Sequence, residues 1–315
     1  MSKDTLKKVI PATYGKVESA NNKLTKEING FKKEIISSAK AQNKEAQIKF
    51  EELNKKINHY KDEMQTEIKQ IEDELKNLER KLHLMDLQEK KILRASNENV
   101  WAHVFHDAVI DSEWLKNRCF YPGRWAAGYP FLYALYRCLN DFQPESILEM
   151  GLGQTTRVIG QYAAYNKNCK HLVTEHDQEW IDTFQKGFKL SNSTEIIKLD
   201  ITKKSYYDTE PCTVYVGFKE ALSGKKFDLI SIDAPFGGDK LEYSRMDILS
   251  IMPDCLNDDF VILLDDYNRQ GEKKMIEKMK KILEENNIEY VTGLYWGNKD
   301  TYMITSSSLK FLCTM

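Results

Sequence analysis

The chain has 315 residues, 41% of them hydrophobic and 30% charged, with a formal net charge of −2. That length allows about two domains, and the near-neutral balance argues against nucleic acid as a general partner. The six cysteines, at 119, 138, 169, 212, 255 and 313, show neither a CxxC pair nor metal spacing and fit reduced, mostly buried thiols. No apolar run approaches the ~18 residues of a membrane span and no signal peptide precedes the charged N-terminus. The expected location is the cytoplasm, with a peripheral place at the inner membrane face left open.

The first dozen residues, MSKDTLKKVIPA, are expected to precede a helix and to end at Pro11, as a docking peptide or a frayed end. Residues 17–93 then hold one glycine, Gly30, and no proline. Apolar side chains recur mostly at alternating threes and fours, from Leu24, Ile28, Phe31 and Ile35 to Leu75, Leu78, Leu82 and Met85. Such spacing draws one narrow stripe along a helix, and a lone helix in water cannot bury it. The pattern predicts a coiled coil of ~75 residues, roughly 110 Å long, joining copies of the chain into a homo-oligomer. The alternative is a helical hairpin folded back on its own domain. Residues 1–95 carry a net +5 and the remainder −7; the basic stalk suits a solvated helix face better than a membrane surface.

From about residue 97 aromatics appear in quantity, and apolar segments then alternate with helix-length ones. Strands are predicted at 146–150, 171–175, 195–199, 227–232, 260–264, 289–296 and 301–306. The first five, separated by helices, predict a parallel sheet with right-handed crossovers. Only four residues, Gly297 to Asp300, join the last two, so the final strand must run antiparallel. The domains expected are 1–95, the oligomerising coil, and 96–315, the sheet.

The first strand leads into SILEMGLGQTTRVIGQYAAY. Glu149 followed by Gly151 and Gly153 and then a helix predicts a tight turn whose backbone approaches a ligand closely. A dinucleotide fingerprint would want a glycine where Thr156 stands. Glu175 ends the second strand, where a carboxylate can accept from both ribose hydroxyls, and Asp200 follows the third, where it can receive an adenine amino group. Over roughly residues 120–312 the chain resembles the class I S-adenosylmethionine-dependent methyltransferases, on EMGLG at 149–153, on Glu175 and on the closing antiparallel pair. The resemblance implies an α/β fold: a Rossmann-like methyltransferase sheet of five parallel strands plus a C-terminal antiparallel hairpin, preceded by the long N-terminal coiled-coil helix. It also implies S-adenosylmethionine held by Glu149, Gly151, Gly153, Gln154, Thr155, Glu175 and Asp200. A different nucleotide-binding sheet, or a relative of spermidine synthase, shares the same core.

Two apolar runs end on carboxylates: FDLISID on Asp233 and FVILLDD on Asp265 and Asp266. Like charges side by side repel unless a cation lies between them. In open parallel sheets the ligand sits beyond the carboxyl ends of the strands, so Asp233, Asp265 and Asp266 are expected to hold Mg²⁺ or a similar divalent ion that draws in an acceptor hydroxyl. N-caps for the following helices are the alternative for one of them. LLDDYN resembles the Asp-Asp-Tyr segment of metal-dependent O-methyltransferases acting on antibiotic sugars, and SIDAPFGGDKLEYSRMDIL resembles the corresponding segment of glucuronoxylan and bacterial polysaccharide O-methyltransferases. The first of these carry a second acid where Pro235 stands here. Besides Asp233, Asp239 or Lys240 of the same glycine-rich loop is then the candidate base, and Arg245 a candidate for binding a sugar carboxylate or phosphate. Trp125, Tyr129 and Tyr133 are candidates for stacking on a sugar or on adenine, or for the core; His103 and His106 are expected on a helix surface.

The function that follows is O-methylation of a sugar hydroxyl in a surface polysaccharide or glycoconjugate, beside other polysaccharide-assembly proteins. Two rivals differ from it: a coiled-coil scaffold whose sheet domain is catalytically silent, and an O-methyltransferase acting on a small-molecule natural product.

Overall fold

The computed structural model describes residues 3–39, 44–123, 125–206, 210–237 and 242–314. Contacts divide the chain into two compact units, Met1–Lys90 and Lys91–Met315. In the first unit, the long N-terminal helix expected from the periodicity is formed by α1 (Lys3–Ala39) and the start of α2 (Lys44–Ala108). Thr13, Tyr14 and Val17 of α1 meet Ile71, Glu72 and Leu75 of α2 across a gap of only about 10 Å³. With residues near 15 against residues near 73, α1 and the start of α2 pack side by side as a helical hairpin. The stripe of threes and fours is therefore covered partly within one chain, which spacing alone cannot distinguish from pairing between chains. Pro11 lies inside α1 and not at its start; the missing N–H removes one backbone hydrogen bond there.

The second unit is built on a seven-stranded sheet. In chain order it contains the end of α2, α3 (Tyr129–Arg137), β1 (Ser146–Met150), α4 (Gln154–Tyr165), β2 (Lys170–Glu175), α5 (Gln178–Gly187) and β3 (Thr194–Lys198). Then come β4 (Ile201–Lys204), β5 (Cys212–Tyr215), α6 (Phe218–Ala221), β6 (Phe227–Ile232), β7 (Leu256–Leu264), α7 (Gln270–Glu285), β8 (Tyr290–Trp296) and β9 (Asp300–Ser306). The strand order is β3-β2-β1-β6-β7-β9-β8. The first five are parallel, and β9 runs antiparallel to both β7 and β8. This is the Rossmann-like methyltransferase sheet, with the crossover between β1 and β6 at its centre.

The central runs lack alternation because both faces are covered. Ile147, Leu229, Val261 and Leu263 pack under Phe105 of α2, Phe131 and Leu135 of α3, and Val158 of α4. Leu148, Ile230, Ile262 and Leu264 pack against Met275, Ile276, Met279 and Leu283 of α7. Tyr129 and Tyr133 are half-buried against the first of these clusters, while Trp125 is 79% exposed and His103 and His106 lie on the helix surface. The small antiparallel pair β4–β5 was not expected. All four side chains of β4 are exposed, so it carries no apolar signal.

Candidate active site

The turn after β1 is set by crowding. Gly151 has φ +104°, and a Cβ there would come within 2.7 Å of the Ala234 Cβ beyond β6. Only glycine adopts that conformation readily and leaves that space. Leu152 is clamped at both backbone groups: its N–H donates to Glu175 Oε2 at 3.1 Å, and its carbonyl accepts from Trp180 Nε1 at 2.7 Å. Glu175 Oε1 also accepts from the N–H groups of His176 and Asp177, at 2.6 and 3.0 Å. Asp177 in turn caps α5 by accepting from Glu179 and Trp180, a standard N-cap. Gly153 faces open space, with nothing within 4 Å of an added Cβ.

The candidate cofactor residues separate on this geometry. Gly151, Gly153 and Glu175 come together at the tips of β1 and β2. Gln154 opens α4, and its side-chain oxygen accepts from the Tyr121 N–H at 3.2 Å. Glu149 and Thr155 are buried against each other, Thr155 Oγ1 donating to Glu149 Oε1. The second Glu149 oxygen lies 3.0 Å from His171 Nε2, and His171 Nδ1 is 3.2 Å from Thr194 Oγ1. The acid of the glycine-rich motif therefore ties β1 to β2 and α4 through its two oxygens. Asp200 follows β3 with its side chain 82% exposed, 3.5 Å from Lys198 Nζ.

The three strand-end aspartates do converge. One oxygen from each of Asp233, Asp265 and Asp266 lies within 4.8 Å of the others. Asp266 holds φ +63°, a left-handed conformation that aspartate tolerates better than most residues. Cations close the cluster. Arg245 Nη2 donates to Asp233 Oδ1 at 3.1 Å and to Asp266 Oδ2 at 2.8 Å, and Nη1 donates to the Asp265 carbonyl at 2.9 Å. Arg269 Nη1 lies 2.8 Å from Asp266 Oδ2, and Lys299 Nζ is 3.1 Å from Asp265 Oδ2 and 3.5 Å from Asp266 Oδ1. Arg245 is thus a fixed partner of the cluster.

Burial pushes the Asp265 carboxyl up to about 7, with the Asp233 charge adding to the effect and Lys299 opposing it. Asp233 is also raised by burial, against the pull of Arg245. For Lys299, burial works against the ammonium, but Asp265, Asp233 and Asp266 outweigh it and hold its pKa above the ordinary lysine value. The buried Asp265 Oδ1 has no hydrogen-bond partner among the described residues, and this, with the convergence of the three carboxylates, favours a metal. Both Asp266 oxygens, however, already face cations, so the cluster does not fit the resident divalent ion expected from the sequence.

Asp239 and Lys240 lie outside the described residues. Lys299, Arg269, His171 and Trp180 were not anticipated. β9 runs antiparallel to β7, with Tyr302 opposite Leu264, which brings the turn before β9, and Lys299 with it, beside Asp265. The exposed ring of Trp125 sits 5.5 Å from that of Phe236, three residues beyond Asp233. A wider cleft of about 820 Å³, lined by Trp114, Asn140, Glu145 and Tyr165 among others, lies at the amino ends of the strands, away from these residues.

No family model and no curated protein matches the sequence. Among solved structures, the chain is similar to the SAH-bound methyltransferase PaMTH1 of Podospora anserina, at 12% identity over 71% of this chain and 95% of that one, with a TM-score of 0.39. It is similar to a protein of Klebsiella pneumoniae assigned as an O-methyltransferase, at 11% identity, 69% and 98% coverage and a TM-score of 0.41. It is also similar to an O-methyltransferase of Bacillus cereus solved with SAH, at 13% identity, 67% and 91% coverage and a TM-score of 0.37.

Proposed function

We propose that the chain is an S-adenosylmethionine-dependent O-methyltransferase. The observation that carries this reading is the position of Asp233. Its N–H donates to the Met150 carbonyl at 3.0 Å, which fixes it beside the glycine turn at the central crossover, where open α/β sheets bind ligands. Its side chain is 19% exposed, the most open of the three aspartates, and Oδ2 has no hydrogen-bond partner among the described residues.

When bound, S-adenosylmethionine supplies a methyl group activated by its sulfonium charge. Glu175, with the clamped turn at Gly151 to Gly153, orients the ribose side of that molecule. Asp233 takes the proton of the acceptor hydroxyl as the oxygen–methyl bond forms, and the electron pair of the broken carbon–sulfur bond stays on sulfur. Arg245 fixes the Asp233 carboxylate in place, so little reorganisation accompanies the transfer. The divalent ion is not part of this proposal, because its charge is already supplied by side chains.

The acceptor we favour is a sugar hydroxyl of a surface polysaccharide or glycoconjugate, over a small-molecule natural product. The exposed pair of Trp125 and Phe236 offers an apolar face of the kind on which sugar rings stack. Phe31, Tyr60 and Met85 remain more than half exposed on the two long helices, which supports association of hairpins from two or more copies, or with other polysaccharide-assembly proteins. Titration calorimetry with S-adenosylmethionine tests the first claim. Saturable heat, lost in Glu175→Ala, is expected, whereas a catalytically silent scaffold gives none.

A further inference from the structure

Three carboxylates brought together out of water need compensating charge or protons, and here the compensation comes from three separate elements. Arg245 enters from the loop after β6, Arg269 from the residue before α7, and Lys299 from the turn between β8 and β9. Glu272 belongs to the same set, 3.8 Å from Arg245 Nε and 3.7 Å from Arg269 Nη1. Among the described residues, four carboxylates thus face three fixed cations, in a site where Asp265, Asp266, Glu272 and Arg245 are all buried. Among those residues Lys299 is the one cation paired with the Asp265 carboxylate, so removing it leaves that carboxylate, and the Asp266 oxygen 3.5 Å from Lys299 Nζ, open to another cation.

We propose that Lys299 takes the electrostatic place of a divalent ion, so that the Asp233–Asp265–Asp266 cluster works without metal. Lys299 is only 13% exposed, so its ammonium is held at the cluster and does not sweep through solvent. A single charge also leaves Asp233 Oδ2 without a partner among the described residues, whereas a hard dication would draw in every available carboxylate oxygen. The inference deepens the methyl-transfer reading and rests on it for the role of the cluster, but its test reads cation binding alone.

The test is a Mn²⁺ titration of the full chain, following the free-ion signal by electron paramagnetic resonance. Wild type and Lys299→Arg are expected to take up no stoichiometric Mn²⁺. Lys299→Met should take up one ion per chain, at least ~10-fold more tightly than wild type, and lose it again when combined with Asp265→Asn. The proposal is overturned if wild type binds one Mn²⁺ per chain and loses it in Asp265→Asn, or if a folded Lys299→Met takes up none. Should Lys299→Met fail to fold, the wild-type titration decides alone. S-adenosylmethionine calorimetry on the same samples keeps the two claims separate: absent heat undoes the methyl-transfer reading and leaves the cation result standing.

Discussion

Gly151 and Ala234 meet at the tips of adjacent strands, so closely that a methyl group on the first would stand 2.7 Å from the methyl of the second. Gly151→Ala must therefore move either the glycine turn or the segment that carries Asp233, besides holding alanine at positive φ. The expected cost is on the order of 2–4 kcal/mol, together with loss of S-adenosylmethionine binding. Chemical denaturation and calorimetry on the same sample measure both. An S-adenosylmethionine affinity equal to wild type would show that this turn does not shape the cofactor site.

Asp233→Asn keeps the size of the side chain and removes the base. Methyl transfer should fall by about 10²–10⁴-fold while S-adenosylmethionine affinity stays near wild type, because Glu175 and the Leu152 clamp are untouched. A parallel loss of affinity and rate would mean that Asp233 positions the cofactor and does not accept the proton.

His171→Leu leaves Glu149, buried to 1% exposure, with Thr155 as its remaining side-chain donor. Breaking a buried pair from one side is strongly destabilising, by about 3 kcal/mol. Adding Glu149→Gln removes the stranded charge, so the double variant should recover part of the loss. A double-mutant cycle by denaturant unfolding measures the coupling, and strictly additive effects would contradict the pairing.

Asp247 provides a pH test away from the site. Its carboxylate accepts the Tyr215 N–H at 2.7 Å, its other oxygen is buried without a partner, and burial pushes its pKa up to about 6. The native chain then holds a proton that the unfolded chain, with an ordinary aspartate pKa of about 3.9, has already released. Stability should fall as pH rises from about 4 to 6 and level off above, by on the order of 2 kcal/mol from this group. Asp247→Asn keeps the acceptor for Tyr215 and should flatten that part of the profile in thermal melts from pH 4 to 8.

The sheet was legible because its central strands are buried on both faces and end on charges: SILEM, FDLISID and FVILLDD announce strand, direction and ligand edge together. The hairpin at 297–300 was legible as a connection, from its length. Its consequence for the site was not, because Lys299 reads as an ordinary turn lysine until the pairing of β9 with β7 puts it beside Asp265. His171 escaped for a similar reason, since a strand histidine shows no sign that an acid lies across the sheet. The α1–α2 hairpin was obscured by a real degeneracy: stripes of threes and fours look the same whether the covering helix comes from another copy or from the same chain.

The strand that flanks β7 on its far side, β9, follows every other strand of the sheet in sequence, which gives the sheet a directional order of completion. A polypeptide emerging from the ribosome presents all three aspartates, and both arginines that face them, before residue 299 exists. Ending translation after Trp296 would leave β7 an open edge and Asp265 without its ammonium, so such a fragment should be aggregation-prone and sensitive to dissolved metal ions in a way the finished protein is not.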